Sequence, residues 1–382
     1  MNGMQTFIYL TACAITKTKA VLEETNFDAL WNIAGAHNMT ALTAKALSDT
    51  AAFQNSDPQE KKRWQNALDN SVKKTMLFKA ELAKIVAFLE ESGIWYMPLK
   101  GAVINELYPS FGTREFADND ILFDNAFSQK VKQFFLERGY SFRCDSFAAD
   151  EYEKPPFYNF EMHRLLFDNG EGVPLCVEYY QNIKEKLLKD EGNAYGYHFT
   201  DDDFYIYFIV HAFKHYDSKG TGFRTVADEF VILNSGKFRL DFSYIEEELG
   251  KLGARDFERQ LRSLCTKLFD APEKTEKALE KLDEQETEML QFVLSCGTFG
   301  KMDNLFAKEL TLSAGGKKPS KARYIFKRFF PDISRYKYSH PFVYRHKIVY
   351  PFFLVYRLAV NPIKHRRYLK QELSSIKKIK TQ

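Results

Sequence analysis

Apolar residues recur every four positions at Trp64, Leu68, Val72 and Met76, and Leu82, Val86 and Leu89 continue that face. This spacing predicts an amphipathic helix. Asp57-Pro58, within the break at 54–59, marks its start, and Ser92-Gly93 its end. Residues 1–92 therefore read as a helical region. The pattern then changes. A short apolar and aromatic run at 94–99, bounded by Gly93 and Gly101, predicts a buried strand. A short helix is expected at 102–107, a second strand at 117–123, and an amphipathic helix at 125–138 with Phe127, Val131, Phe134 and Phe135 on its apolar side. Two further strands, 157–167 and 174–180, are expected to pair across the turn signal Asp168-Asn169-Gly170. The order β–α–β–α–β–β predicts a small mixed sheet.

From Asp201 onward helical periodicity returns, over 204–215, 223–233 and the charged stretch 240–310. Ser313-Ala314-Gly315-Gly316 is the clearest linker signal. The expected organisation is an N-terminal helical region (1–92), a mixed-sheet core (93–190), a helical domain (191–312), and a linker with a basic aromatic tail (313–382). The fold class is α/β, in the α+β sense, with helical regions flanking the sheet.

Composition fits a folded chain. Hydrophobic residues make up 45% of the 382, with 35 Phe, 21 Tyr and 3 Trp, which excludes a disordered or low-complexity protein. The five cysteines are scattered and form no Cys-x-x-Cys pair, so neither a disulfide framework nor a zinc knuckle is expected. Leu10-Thr11-Ala12-Cys13 resembles a lipoprotein cleavage box, but no Lys or Arg precedes it and the apolar run is short. It is read as part of the first helix. The best candidate for a membrane span, 348–360, is too short and contains Pro351 and Arg357. A cytoplasmic protein is expected, with peripheral membrane association as an option for its basic end.

Charge adds one feature that the net value of +3 hides. From Lys317 to the end there are 18 Lys and Arg against two acids, Asp332 and Glu372, a net of +16. The preceding 316 residues carry 36 basic and 49 acidic side chains, a net of −13. Aromatics interleave with the tail's cations, among them Tyr324, Phe326, Phe329, Phe330, Tyr336, Phe342 and Tyr356. That mixture suits nucleic acid or an anionic membrane. The favoured expectation for 317–360 is packing on the acidic body. Residues 357–380 are expected to be exposed and to seek a membrane or polyanion.

The chemistry-bearing segment is Lys100-Gly101-Ala102 followed by Arg114 and Asp118-Asn119-Asp120-Ile121-Leu122-Phe123. Side chains alternate faces on a strand, so Asp118 and Asp120 point the same way, roughly 6.6 Å apart. Two carboxylates so placed can hold one or two Mg²⁺ ions, which suit phosphoryl chemistry. Lys100-Gly101 falls at a strand-to-helix turn where backbone can approach a phosphate. The plainer alternatives are a solvated Asp-Asn-Asp loop, Asp124 as an N-cap, a packed His211/His215 pair rather than a zinc site, a helical Arg224–Asp228 ion pair, and Cys176 in the core.

These motifs resemble the uncharacterised nucleotidyltransferase family, within the DNA polymerase beta-like nucleotidyltransferase superfamily. The resemblance rests on Lys100-Gly101-Ala102, Leu107-Tyr108-Pro109, Arg114 and Asp118-x-Asp120-Ile-Leu. It extends to Ala36-His37-Asn38, Val177-Glu178-Tyr179, His211-x-x-Lys214-His215 and Arg224-x-x-x-Asp228, and to Phe330-Pro331 and the tail. It implies a Mg²⁺-dependent enzyme, with Mn²⁺ as a substitute ion. Such an enzyme moves a nucleoside monophosphate from an NTP to a hydroxyl and releases pyrophosphate. The resemblance leaves the acceptor open among a protein, a small molecule or sugar, and an RNA end. Asp118, Asp120 and Glu178 would be the catalytic, metal-binding carboxylates. Lys100, Gly101, Arg114, Lys214 and Arg224 would bind the nucleotide's phosphates. Three departures favour an alternative, an inactive nucleotide- or partner-binding protein: Asn119 between the aspartates, Ala102 where Ser is usual, and Tyr179 where His is frequent. A polyanion or nucleic-acid binder acting through the tail is the other alternative.

Overall fold

The computed structural model describes residues 1–115, 118–145, 148–167, 174–298, 300, 304, 326, 329–336 and 340–364. Helices α1 (Gly3–Thr16), α2 (Phe27–Ala36), α3 (Thr40–Leu47), α4 (Ala51–Gln54) and α5 (Pro58–Glu91) come first. The start of α5 is set locally: the Asp57 side chain accepts a hydrogen bond from the Gln59 amide at 2.7 Å, and Pro58 occupies the first turn, where no N–H is needed. The buried stripe of α5 differs from the sequence expectation. Trp64, Ser71, Thr75, Phe78, Ile85 and Leu89 are buried, while Met76 is exposed. The polar residues in the stripe have a reason. The Ser71 hydroxyl donates to the Gly112 carbonyl at 2.6 Å, and a Cβ at Gly112 would lie 2.6 Å from the Val72 Cα. A backbone packed that closely leaves room for small polar side chains, not for a larger apolar one.

The sheet follows. Strands β1 (Tyr96–Pro98), β2 (Asn119–Phe123), β3 (Ser141–Asp145), β4 (Ala149–Lys154) and β5 (Tyr158–His163) pair in the order β1-β2-β5-β4-β3. The β2/β5 pair is parallel and the other three are antiparallel, so the sheet is mixed as expected. Helix α6 (Lys100–Asn105) connects β1 to β2, and α7 (Ser128–Glu137) connects β2 to β3. Asp124 caps the turn before α7 by accepting from the Ala126 amide at 3.1 Å.

Two expectations fail here. The β3–β4 hairpin was not anticipated, because its residues are largely charged and lack clean apolar alternation; it forms the sheet edge, where such sequences are tolerated. The stretch expected as a strand at 174–180 is instead helix α8 (Pro174–Tyr179). Its buried residues, Cys176, Val177 and Tyr180, follow helical rather than alternating spacing, and Pro174 fits a first helical turn. The turn signal at 168–170 lies outside the described residues.

Helices α9 (Asp201–Tyr216), α10 (Arg224–Asn234), α11 (Phe242–Lys251), α12 (Arg255–Phe269), α13 (Thr275–Glu280) and α14 (Glu284–Cys296) follow. Further on lie α15 (Pro341–Arg345) and α16 (Tyr350–Lys364). The linker signal at 313–316 and the cationic end beyond 364 lie outside the described residues.

Two apolar clusters fix the architecture. One face of the sheet, with Ile121, Phe123, Tyr152, Phe160 and Met162, packs on Phe78, Ile85 and Leu89 of α5 and on Val131 and Phe135 of α7. The Phe135 and Tyr152 rings stack at 4.2 Å. The second cluster joins α1 (Phe7, Leu10), α9 (Tyr205, Ile209), α10 (Val226, Ile232) and α12 (Leu261, Leu268), so helices from before and after the sheet share one core. The opposite face of the sheet, left free of α5 and α7, carries the polar residues.

Candidate active site

Strand alternation assigns those polar residues. Ile121 and Phe123 turn into the core, so Asp120 turns the other way, and Asp118, two residues earlier, lines the same cavity. On β5, Phe160 and Met162 are buried in the core, which sends Glu161 and His163 to the Asp120 side. The parallel register then sets Asp120 directly opposite Glu161, and β4 sets Glu151 opposite Glu161. A row of carboxylates thus crosses three strands on one face.

The same cavity, of about 530 Å³, is also lined by Lys100, Arg114, His211, Lys214, His215 and Arg224. That volume falls within the range of small-molecule sites, about 300–1,000 Å³. Lys100 opens α6 directly after β1, and the Leu99 amide donates to the Asp120 carbonyl at 2.9 Å, tying this turn to the acidic strand. Gly101 lines the cavity, and a Cβ there would meet no atom within 4 Å. Its lack of a side chain widens the space beside Lys100.

Charges in this confined place perturb one another. Burial raises the Asp118 carboxyl to about 6, helped by Asp120 and Glu161. Burial acts the same way on Asp120, but the neighbouring His163, Lys100 and Lys214 outweigh it and hold Asp120 below the usual range. Burial pushes Lys100 down to about 8, with Asp120 pulling the other way and Lys214 adding to the fall. His211 and His215 are pushed well down by burial and by Lys100 and Lys214, so both rings are neutral. Their centroids are 4.6 Å apart, and the Lys100 Nζ lies 2.6 Å from His211 Nδ1. Perturbed groups that converge in a cleft mark a functional site.

Three of these residues fit a cation. Asp120, Glu161 and His163 each offer a ligand atom within 4.8 Å of the others. The His163 Nε2 is 3.4 Å from Asp120 Oδ1 and from Glu161 Oε2, within ion-pairing distance of both, while Nδ1 has no hydrogen-bond partner among the described residues. Burial alone would lower the His163 pKa, but the two carboxylates raise it to about 9. One imidazole and two carboxylates are a donor set that suits a divalent cation, which would displace the proton that His163 holds between them.

The residues expected from sequence separate into three groups. Lys100, Gly101, Asp118, Asp120, Lys214 and Arg224 all line the cavity. Arg114 lines it too, but its guanidinium is engaged in a two-point pair with Asp228, Nε to Oδ1 at 2.7 Å and Nη2 to Oδ2 at 2.8 Å. Asp228 therefore pairs with Arg114 rather than with Arg224 four residues away. Arg224 instead donates to the Glu115 carbonyl at 2.5 Å. Glu178 is the correction. It sits near the end of α8, exposed, and is not among the cavity-lining residues. Glu161 is the carboxylate that β5 sets opposite Asp120. The alternation Phe160-Glu161-Met162-His163 was the available signal for it.

The surrounding helices fix the site's position. Glu115 accepts from the Ala41 amide at 3.0 Å, at the start of α3. His37 Nδ1 accepts from the Phe223 amide at 3.1 Å, just before Arg224 begins α10. Burial pushes His37 down to about 4, so the ring stays neutral and keeps that acceptor.

The comparisons with known proteins agree with this geometry. No curated protein and no solved structure gives a significant match. The family model described as uncharacterised nucleotidyltransferase matches residues 23–270, which span α2 through α12 and hold every residue of the cavity except Thr298. This chain belongs to the uncharacterised nucleotidyltransferase family.

Proposed function

We propose that this protein is a divalent-cation-dependent nucleotidyltransferase that moves a nucleoside monophosphate from an NTP to an acceptor hydroxyl. The observation that carries the reading is the register of β2 on β5, which sets Asp120 opposite Glu161 in a cavity that Lys100, Lys214 and Arg224 also line. Acids and cations that line one cavity suit a metal-bound triphosphate.

Asp120, Glu161 and His163 would hold the cation, with Asp118 completing the acidic wall. Mg²⁺ or Mn²⁺ bound there would lower the pKa of the acceptor hydroxyl and neutralise charge on the phosphates. A carboxylate of the row would take the acceptor's proton. The acceptor oxygen then forms a bond to the α-phosphorus while the bond from that phosphorus to the bridging oxygen breaks, and pyrophosphate leaves with the electron pair. Lys100, Lys214 and Arg224 would stabilise the charge that accumulates on the leaving group.

A second reading, a nucleotide-binding protein without turnover, has one observation in its favour. His163 as an imidazolium already offsets one of the two charges of Asp120 and Glu161. Calorimetry of each NTP with Mg²⁺ or Mn²⁺ separates the two from each other and from no site at all. Cation-dependent binding that disappears in Asp118→Ala/Asp120→Ala and in Glu161→Ala supports the enzyme. Cation-independent binding supports the second reading, and no binding of any NTP to folded protein overturns both.

A further inference from the structure

The C-terminal helices carry a feature the nucleotidyltransferase site does not use. The sequence led us to expect the aromatics of 317–360 packed on the acidic body. Instead Phe326, Phe330 and Phe342 are exposed, as are Ile348 (86%), Phe352 (74%), Val355 (68%) and Tyr356 (61%). The last four are spaced i, i+4, i+7 and i+8, which places them on one stripe running from the turn before α16 along its first half. The opposite side of α16 is the packed one. Phe353 meets the Tyr336 ring at 5.0 Å and His340 at 4.7 Å, and the Arg357 guanidinium reaches the Tyr336 hydroxyl. The helix therefore buries one face locally and turns an apolar face outward.

We propose that α16 docks this protein on an anionic bilayer surface, with Ile348, Phe352, Val355 and Tyr356 entering the boundary between headgroups and acyl chains. The stripe has the composition of an interfacial helix, aromatic and aliphatic. Exposed Arg345 and Lys347 stand at its N-terminal end, and the chain from 333 to 371 contains no acid. That charge complements anionic lipid headgroups. No helix among the described residues is long and apolar enough to cross a membrane, so α16 lies along the surface rather than through it. Nucleic acid fits less well, because the outward stripe itself presents no cation and Arg357 is drawn away to Tyr336. An acidic surface on a second copy would satisfy the cations but leave the four apolar side chains in water.

Co-sedimentation of the full chain with phosphatidylcholine vesicles, with and without phosphatidylserine, tests this. Binding is expected only to the anionic vesicles. Phe352→Glu/Val355→Glu and, separately, Arg345→Glu/Lys347→Glu should each weaken it about tenfold or more. Phe352→Ser serves as a milder stripe variant, and an unchanged unfolding temperature shows that each variant folds. The proposal is overturned by no vesicle binding, by vesicle binding untouched by the stripe variants, or by a stripe that proves to hold two copies together, with Phe352→Glu/Val355→Glu dissociating a dimer that ignores vesicles. Binding to a single-stranded oligonucleotide in place of vesicles also overturns it and moves the partner to nucleic acid.

Discussion

Arg114 and Asp228 form a buried two-point ion pair, at 2.7 and 2.8 Å, and the Tyr108 hydroxyl donates to the same carboxylate at 2.8 Å. The pair locks the loop leading to Asp118 against helix α10, which carries Arg224. Removing one partner leaves a buried charge alone. Asp228→Ala should therefore destabilise the protein by about 3–5 kcal/mol in chemical denaturation. Arg114→Met/Asp228→Leu should recover much of that loss. Equal destabilisation in the single and double variants would show that the pair does not carry the cost.

The two candidate third carboxylates give opposite expectations. Glu161 faces Asp120, whereas Glu178 is exposed on α8. In cation-dependent NTP binding, Glu161→Ala should lose at least about tenfold in affinity, the usual penalty for a charged ligand group. Glu178→Ala should stay within about twofold of the parent, as an exposed substitution does. The reverse ranking would restore Glu178 to the site.

Lys100 predicts a pH dependence. Its pKa is pushed down to about 8 in the folded protein, first by burial. NTP binding that relies on its positive charge is strong below that value and weakens as pH rises through 8 to 9. Binding the phosphates favours the protonated form, so calorimetry near pH 8 should register proton uptake. Lys100→Met should bind more weakly at pH 7 and lose the inflection. An inflection that survives in Lys100→Met belongs to another group.

His163 predicts an ion preference. An imidazole beside two carboxylates suits Mn²⁺ better than Mg²⁺, which favours an all-oxygen shell. Mn²⁺ should support NTP binding about tenfold more tightly than Mg²⁺, and His163→Ala should narrow that gap. Identical preferences in the two proteins would place His163 outside the ion's shell.

Glu229 offers a stability test away from the cavity. It is fully buried, accepts from the Tyr205 hydroxyl, and burial raises its carboxyl to about 8. The folded state then holds a proton that the unfolded state releases near its ordinary value. Between about pH 4.5 and 8 the folded state binds more protons, so its stability falls as pH rises. Glu229→Gln keeps the shape without the proton and should lack that slope, at most about 1.4 kcal/mol per pH unit. Parallel curves for parent and variant would show that Glu229 is ionised in the fold.

Local pattern determined several things about this protein. Alternation around Asp118 and Asp120 predicted that both face one way; both line the cavity, although β2 begins at Asn119 and Asp118 just precedes it. The glycine after Lys100 marked a turn, Asp57-Pro58 started α5, and the motif spacing identified the family. These depend on neighbours within a few residues, which the sequence displays. The tertiary structure decided what long-range contacts control. It pairs β2 with β5, which brings Glu161 and His163 to Asp120 from some 40 residues away along the chain. It gives Asp228 to Arg114 rather than to Arg224, its neighbour on the helix. It winds 174–179 into a helix whose buried residues face the core, and leaves Glu178 exposed and outside the cavity lining. It leaves the stripe on α16 facing outward. Each outcome turns on which surfaces meet and which charges become buried together. Periodicity says which face of an element is apolar, but not which partner that face will find.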